Sequence, residues 1–342
     1  MENVMNNPTI AFTKPCVAEL IELEIREPND DEVLVKLDYS SVSSGTERAN
    51  LVGEVNIGLS ASPSDPVFPR ILGYSSAGVV EKVGKRVDNI RPGDRVALSW
   101  SHHSKYCTLS ARNVHKIISG KLTLSEAALW HICTFPLAAI RKCRLELGES
   151  ALVMGLGVLG IMAVKLLKHA GAAPVIAVDP IAERREKAQT CGADLTLDPF
   201  APDFAKKVCE FSGGGVNVAI EVTGNGGGLN GALDCMKKFG RVALLGCTRH
   251  SDFSVDYYKK VHGPGISLIG AHTLARPEFE SSPSLWTAAD DISAIQKLTL
   301  FGGLDLGALV DEIHSPLEAP EVYARLAAES SFPLVQFDWN RL

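Results

Sequence analysis

The sequence predicts an α/β protein in which a doubly wound parallel sheet is joined to a mostly antiparallel, barrel-like domain. Two observations predict it. Over roughly the first 130 residues, short runs with a period of two follow one another closely, separated by Gly and Pro, as half-buried strands do. From about Ser125 onward, helix-length apolar periods alternate with short runs rich in Val, Ile, Ala and Leu, and strand–helix–strand in series builds a parallel sheet covered on both faces. A length of 342 residues agrees with two domains at roughly 150 residues each.

In chain order, residues 31–38 alternate apolar and polar side chains, and 77–84 and 94–98 repeat that style around the turn Arg91-Pro92-Gly93-Asp94. The buried runs are 151–154, 175–178, 218–220, 242–245 and 266–269, with helical spacing between them. A helix over 288–300, a strand-like piece over 309–313, a helix over 319–328 and a strand over 333–337 follow. Gly213–Gly215 and Gly226–Gly228 fall between these elements.

Composition closes off several functions. Against 40 acidic residues, 34 Lys and Arg give a net charge of -6, so no basic surplus exists for nucleic acid. Eight cysteines, none in a CxxC pair, are too sparse for a disulfide scaffold or zinc ribbon and fit a reduced compartment. Residues 1–13 lack a basic segment followed by an apolar one, so no signal peptide is expected. The longest uncharged apolar-rich run, between Glu149 and Lys165, falls short of the roughly 20 residues of a membrane span; a soluble, cytoplasmic protein without membrane partners is expected.

The most specific motif is Gly155-Leu156-Gly157-Val158-Leu159-Gly160, which follows an apolar strand and opens a helix running to His169. The first glycine permits a tight turn, the second lets a pyrophosphate approach the backbone, and the third allows close helix–strand packing; the helix N-terminus supplies unpaired N–H groups. The next strand ends in Asp179, nineteen residues after Gly160, where an acid receives the adenosine ribose hydroxyls. Alone, Asp179 reads equally as a turn residue before Pro180. Its charge disfavours a 2′-phosphate, so NAD is favoured over NADP, with Arg184 and Arg185 positioned to soften the preference.

Together with this cradle, Ser43-Ser44-Gly45-Thr46-Glu47, Gly73-Tyr74-Ser75-Ser76-Ala77-Gly78, Gly93-Asp94-Arg95-Val96, Gly192-Ala193-Asp194, Glu221-Val222-Thr223-Gly224 and Gly240-Arg241-Val242 make the chain resemble the medium-chain dehydrogenase/reductase superfamily, of alcohol dehydrogenase type, over nearly its whole length. The resemblance implies a GroES-like catalytic domain, 1–131 completed by 274–342, around a Rossmann domain, 132–273. It implies nicotinamide near Leu159, Thr223, the loop Gly246-Cys247-Thr248 and His272, and a homodimer or homotetramer. It also implies hydride transfer between nicotinamide and an alcohol or carbonyl carbon, or an activated double bond.

Zinc members of that superfamily carry Cys in the early loop and His-Glu in the second motif. Here those positions are Ser44, then Tyr74 and Ser75, and the lobe of four closely spaced cysteines is missing. Hydroxyls do not make a tetrahedral zinc site, so a zinc-free member is expected. Glu47, His102, His103, Cys107, His131 and Cys133 offer donors for a rearranged metal site but show no metal spacing. Without metal, the oxygen on which charge develops needs a protein donor. Tyr74 is the first candidate, against a reading as a core tyrosine. Thr46 is a relay or a loop cap, and His102 and His103 are general acids or packing residues. Glu47 is expected to order its loop.

The function expected is a metal-independent, NAD-dependent dehydrogenase of a small secondary alcohol, sugar- or polyol-like. Alternatives are a reductase of activated C=C bonds or quinones, redox-neutral chemistry on bound NAD, and a non-catalytic nucleotide-binding protein. The loop 51–70 is expected to shape the substrate pocket.

Overall fold

The computed structural model describes residues 6–54 and 68–342, so most of the loop 51–70, residues 55–67, lies outside the described residues. The chain divides into two compact units, one ending at Ile132 and resuming over Ile292–Leu342, the other Cys133–Asp291.

The first unit opens with an antiparallel hairpin of β1 (Asn6–Lys14) and β2 (Val17–Glu24), which the sequence reading passed over. Then come β3 (Glu32–Ser41), α1 (Ser44–Leu51), β4 (Arg70–Ile71), β5 (Ser75–Val83), β6 (Arg95–Ser99), β7 (Tyr106–Ser110), β8 (Val114–Lys116) and α2 (Leu124–Ala127). Val33, Val35 and Leu37 of β3 are fully buried, the inward set that period-two alternation demands. Antiparallel pairing of β3 with β5 and β7, and of β5 with β6, forms the predicted barrel-like domain.

After α3 (Trp130–Lys142), the second unit alternates strand and helix: β9 (Ala151–Met154), α4 (Val158–His169), β10 (Val175–Val178), α5 (Ala182–Thr190), β11 (Leu195–Leu197), α6 (Phe204–Phe211), β12 (Val216–Glu221), α7 (Gly226–Asp234), β13 (Met236–Leu244) and β14 (Ser267–Gly270). The sheet order is β11-β10-β9-β12-β13-β14, every neighbouring pair parallel. The order reverses between β9 and β12, the switch point outside which such sheets bind ligands. All four residues of both β9 and β10 are buried, as strands covered on both faces require.

The chain ends with α8 (Ala288–Gly302), β15 (Glu312–His314), α9 (Ala319–Ala328) and β16 (Val335–Asp338). β16 lies between β15 and β3, so the last strand joins the sheet of the third. The return to the first unit comes later than the expected residue 274. Residues 274–291 pack with the second unit because Arg276 donates to the Thr134 carbonyl at 2.9 Å, the Arg141 guanidinium lies 3.6 Å from the Trp286 ring centroid, and Arg141 binds the buried Asp291 at 2.8 Å. No helix among the described residues is long and apolar enough to cross a membrane.

Candidate functional site

In the second unit, the glycine motif forms the turn from β9 into α4. Gly155 has φ +96°, and a Cβ on Gly160 would stand 1.9 Å from the Gly155 carbonyl oxygen, so only glycine closes this turn. A Cβ on Gly157 would meet nothing within 4 Å: the middle glycine faces open space at the N-terminus of α4, and no side chain caps that helix. An open, uncapped helix start suits a pyrophosphate, so the residues present fit a dinucleotide. Leu159 is half-buried on the first turn of α4.

Asp179 follows β10 and is buried at 4% exposure. One carboxylate oxygen accepts the Leu156 N–H of the glycine turn at 2.8 Å, the other accepts the Ile181 N–H at 2.9 Å, and Arg184 stands 3.5 Å away. The acid expected to receive the ribose therefore braces the glycine turn, and its bond to the Ile181 N–H is the turn role before Pro180 that the sequence also offered.

A second acid, Glu221 at the end of β12, went unassigned in the sequence. It accepts the Thr223 hydroxyl, the Thr223 N–H at 2.7 Å and the Gly224 N–H at 3.2 Å, while its own carbonyl accepts the Gly246 N–H at 2.9 Å. Burial pushes its carboxyl above the ordinary value, partly opposed by these donors. Gly224, at φ +64°, lets the two loops touch: a Cβ there would lie 2.6 Å from the Cys247 carbonyl oxygen. Thr223 and Gly246 are thus brought together by one buried residue, Glu221, whose carboxyl holds the first and whose backbone carbonyl holds the second. An acid closing an otherwise apolar run was the available signal. His272 follows β14, its Nδ1 accepting the Leu274 N–H at 3.2 Å; burial and the nearby Lys142 lower its pKa.

In the first unit, Glu47 on α1 is 1% exposed. Its carboxylate accepts the Ser43 N–H at 2.8 Å and the Tyr323 hydroxyl at 2.5 Å, and lies 3.2 Å from His103 Nε2. His103 Nδ1 lies 2.7 Å from Ser40 Oγ, which also accepts the Trp339 indole N–H at 2.9 Å. Burial drives the Glu47 pKa up, but His103, Tyr323 and the Ser43 amide more than offset it and leave the carboxyl below its ordinary value. His103 is therefore committed to a buried network, not presented to solvent, and Glu47 orders its loop by holding three groups, the Ser43 amide, the His103 ring and the Tyr323 hydroxyl. Tyr323 is 276 residues from Glu47, and no local pattern announces it.

Ser43, held by Glu47, accepts a hydrogen bond from the Tyr74 hydroxyl. The Tyr74 ring packs 6.0 Å from Trp100 and 5.9 Å from His131, centroid to centroid. Trp100 adopts φ +60° and is 42% exposed. Thr46 is half-buried, and its hydroxyl has no hydrogen-bonding partner among the described residues. His102 follows Trp100 in the turn after β6, and its ring makes no hydrogen bond to a described residue. Of the positions that matter for zinc, Ser75 spends its hydroxyl on the Ala128 carbonyl at 2.6 Å and Tyr74 spends its own on Ser43. Among the described residues, no group of three His, Cys, Asp or Glu side chains converges.

Two family models match: an alcohol dehydrogenase GroES-like domain over residues 29–136 and a zinc-binding dehydrogenase over 158–286. A D-guloside 3-dehydrogenase of Shigella flexneri is 26% identical over 92% of this chain and 94% of its own. An L-threonine 3-dehydrogenase of Pyrococcus abyssi is 31% identical over 76% of this chain and 81% of its own. The fold is also that of a benzyl alcohol dehydrogenase from Acinetobacter calcoaceticus, at 19% identity and TM-score 0.83 over 98% of this chain and 99% of that one. Matched across both units by named dehydrogenases, the chain belongs to the medium-chain dehydrogenase/reductase superfamily, of alcohol dehydrogenase type, and is an NAD(P)-dependent oxidoreductase acting on alcohols.

Proposed function

We propose that the protein interconverts a secondary alcohol and its ketone, on a sugar- or polyol-like molecule, with NAD and without a catalytic metal. The observation that carries this reading is the Tyr74 phenol, standing where zinc members place an imidazole and already hydrogen-bonded to Ser43. A serine hydroxyl, a phenol and a second serine bound to a carbonyl do not fit zinc, which takes thiolate, imidazole or carboxylate. The likeness to a D-guloside 3-dehydrogenase supports the sugar-like substrate, and the Asp179 carboxylate supports NAD.

Bound nicotinamide supplies the hydride donor or acceptor. In the reducing direction, Tyr74 turns its hydroxyl from Ser43 to the substrate oxygen and gives up its proton as charge develops there. Ser43 then turns its own hydroxyl to the phenolate, and oxidation runs the same path backwards. Glu47 keeps Ser43 in place through its backbone N–H, so the proton route is held by buried groups rather than a mobile loop. A preorganised donor of this kind contributes about 2.7–4 kcal/mol to the transition state.

The test is turnover of alcohols, polyols, enones and quinones with both cofactors, before and after exhaustive chelation with metal analysis. Polyol oxidation with NAD is expected to survive chelation. Loss on chelation with recovery on adding zinc overturns the metal-free assignment, and enone or quinone reduction alone overturns the alcohol assignment.

A further inference from the structure

The first unit contains a cavity of about 400 Å³ that the chemistry above does not use. It lies between the ends of β2 and β7 and the turn after β6, with Glu24, Arg26, Trp100, His102 and Tyr106 among its walls. Its size falls in the range of small-molecule sites. Trp100 belongs to this wall and also packs on Tyr74 and His131, so the cavity adjoins the donor cluster through its side chain. That side chain is an exposed indole on a left-handed backbone, a conformation costly for a bulky residue and concentrated at ligand clamps.

The polar groups on the wall fall into two sets. Arg26 is spent: Glu32 holds it at 2.6 and 2.7 Å. The Glu24 carboxylate, the His102 ring and the Tyr106 hydroxyl make no hydrogen bond to any described residue. Partial burial and the neighbouring His103 push His102 toward its neutral form. The unspent set is therefore one carboxylate, one neutral imidazole, one phenol and an indole face, with no unpaired cation. Such a wall repels phosphate and carboxylate. It suits a neutral ring rich in hydroxyls, whose C–H face packs on the indole while the carboxylate, imidazole and phenol exchange hydrogen bonds with its edge.

We propose that this cavity is a distal subsite for the non-reacting ring of a neutral glycoside, with Trp100 dividing it from Tyr74 and with Glu24, His102 and Tyr106 as its hydrogen-bonding groups. The proposal deepens the sugar-like reading of the substrate and rests on it only for what Tyr74 does to the neighbouring ring.

The experiment is equilibrium binding by titration calorimetry and saturation-transfer NMR, with lactose and trehalose as neutral probes and glucose 6-phosphate as the charged one. Wild-type protein is compared with the double variant Glu24→Gln/Tyr106→Phe, whose fold is checked by circular dichroism and melting temperature. Glu24 is exposed and Tyr106→Phe removes one oxygen, so the variant retains its packing. A disaccharide is expected to bind, the double variant to weaken it at least tenfold, and the phosphate to bind more weakly than either neutral probe. Absence of disaccharide binding, equal binding by the variant, or tighter binding of the phosphate overturns the proposal. If disaccharide binding and its loss are seen while no sugar or polyol is oxidised, the subsite stands and the reaction assignment falls; the reverse pattern separates them the other way.

Discussion

Replacing Asp179 with Asn isolates the charge at the cofactor site. The wild-type carboxylate braces the glycine turn proposed to cradle the pyrophosphate, and Arg184 stands 3.5 Å away. A 2′-phosphate about 4 Å from that carboxylate would feel a repulsion of ~1 to ~4 kcal/mol per charge pair, from fully watery to protein-surface screening. At about 1.4 kcal/mol per tenfold, the ratio of kcat/KM for NADP over NAD should rise between roughly fivefold and roughly a thousandfold. Asn is preferable to Ser because it keeps one oxygen for either the Leu156 or the Ile181 amide; the amide left unpaired costs about 1–3 kcal/mol of stability. The melting temperature should therefore fall modestly, and kcat/KM for NAD should fall as well, which is why the ratio is the readout. Steady-state kinetics with both cofactors, paired with a thermal melt, decide it. A folded variant with an unchanged ratio would mean that Asp179 serves the turn alone and that the NAD assignment lacks its physical basis.

Tyr74→Phe should lower kcat by about 10²–10³ with little change in KM, the loss typical of one preorganised donor; turnover within a few fold of wild type removes the phenol from the mechanism. Glu47→Ala strands His103, Tyr323 and the Ser43 amide in the core and should cost about 3–5 kcal/mol, read by chemical denaturation, whereas a loss below about 1 kcal/mol contradicts the buried network. Because the folded Glu47 carboxyl sits below its ordinary value, its contribution is complete above the unfolded value near ~4.3 and is lost as the pH falls through the folded one; wild type should lose that increment on acidification and Glu47→Gln should not. Gly160→Ala drives a methyl into the Gly155 carbonyl and should abolish NADH binding in a fluorescence titration, while Gly157→Ala, whose methyl enters open space, should leave the fold intact and weaken only the cofactor.

The parts legible in the sequence were those specified by short-range chemistry. α4 and α9 occur at the expected residues because apolar spacing and the glycine turn fix them locally. β13 begins at Met236, before the expected 242, since Lys237, Lys238 and the exposed Phe239 break any alternation. The placement of 274–291 turned on Arg141, Trp286 and Asp291 meeting across the second unit, which spacing does not encode. At the candidate site, the glycines and Asp179 were visible as motif and distance. The bracing role of Asp179, the clamp by Glu221 and the partnership of Glu47 with His103 and Tyr323 were not, because each depends on which backbone amides or remote side chains the fold delivers to a buried carboxyl.

The position of β16 bears on biosynthesis. Gln336 donates to Ser41 across 295 residues, inserting a late-made strand beside one of the earliest. The second unit is contiguous and can complete itself as it leaves the ribosome, but the first must wait with the Tyr39–Ser41 edge of β3 unpaired. A nascent chain stalled before Val335 would carry a finished nucleotide-binding half and an adhesive half, the species a chaperone would be expected to hold.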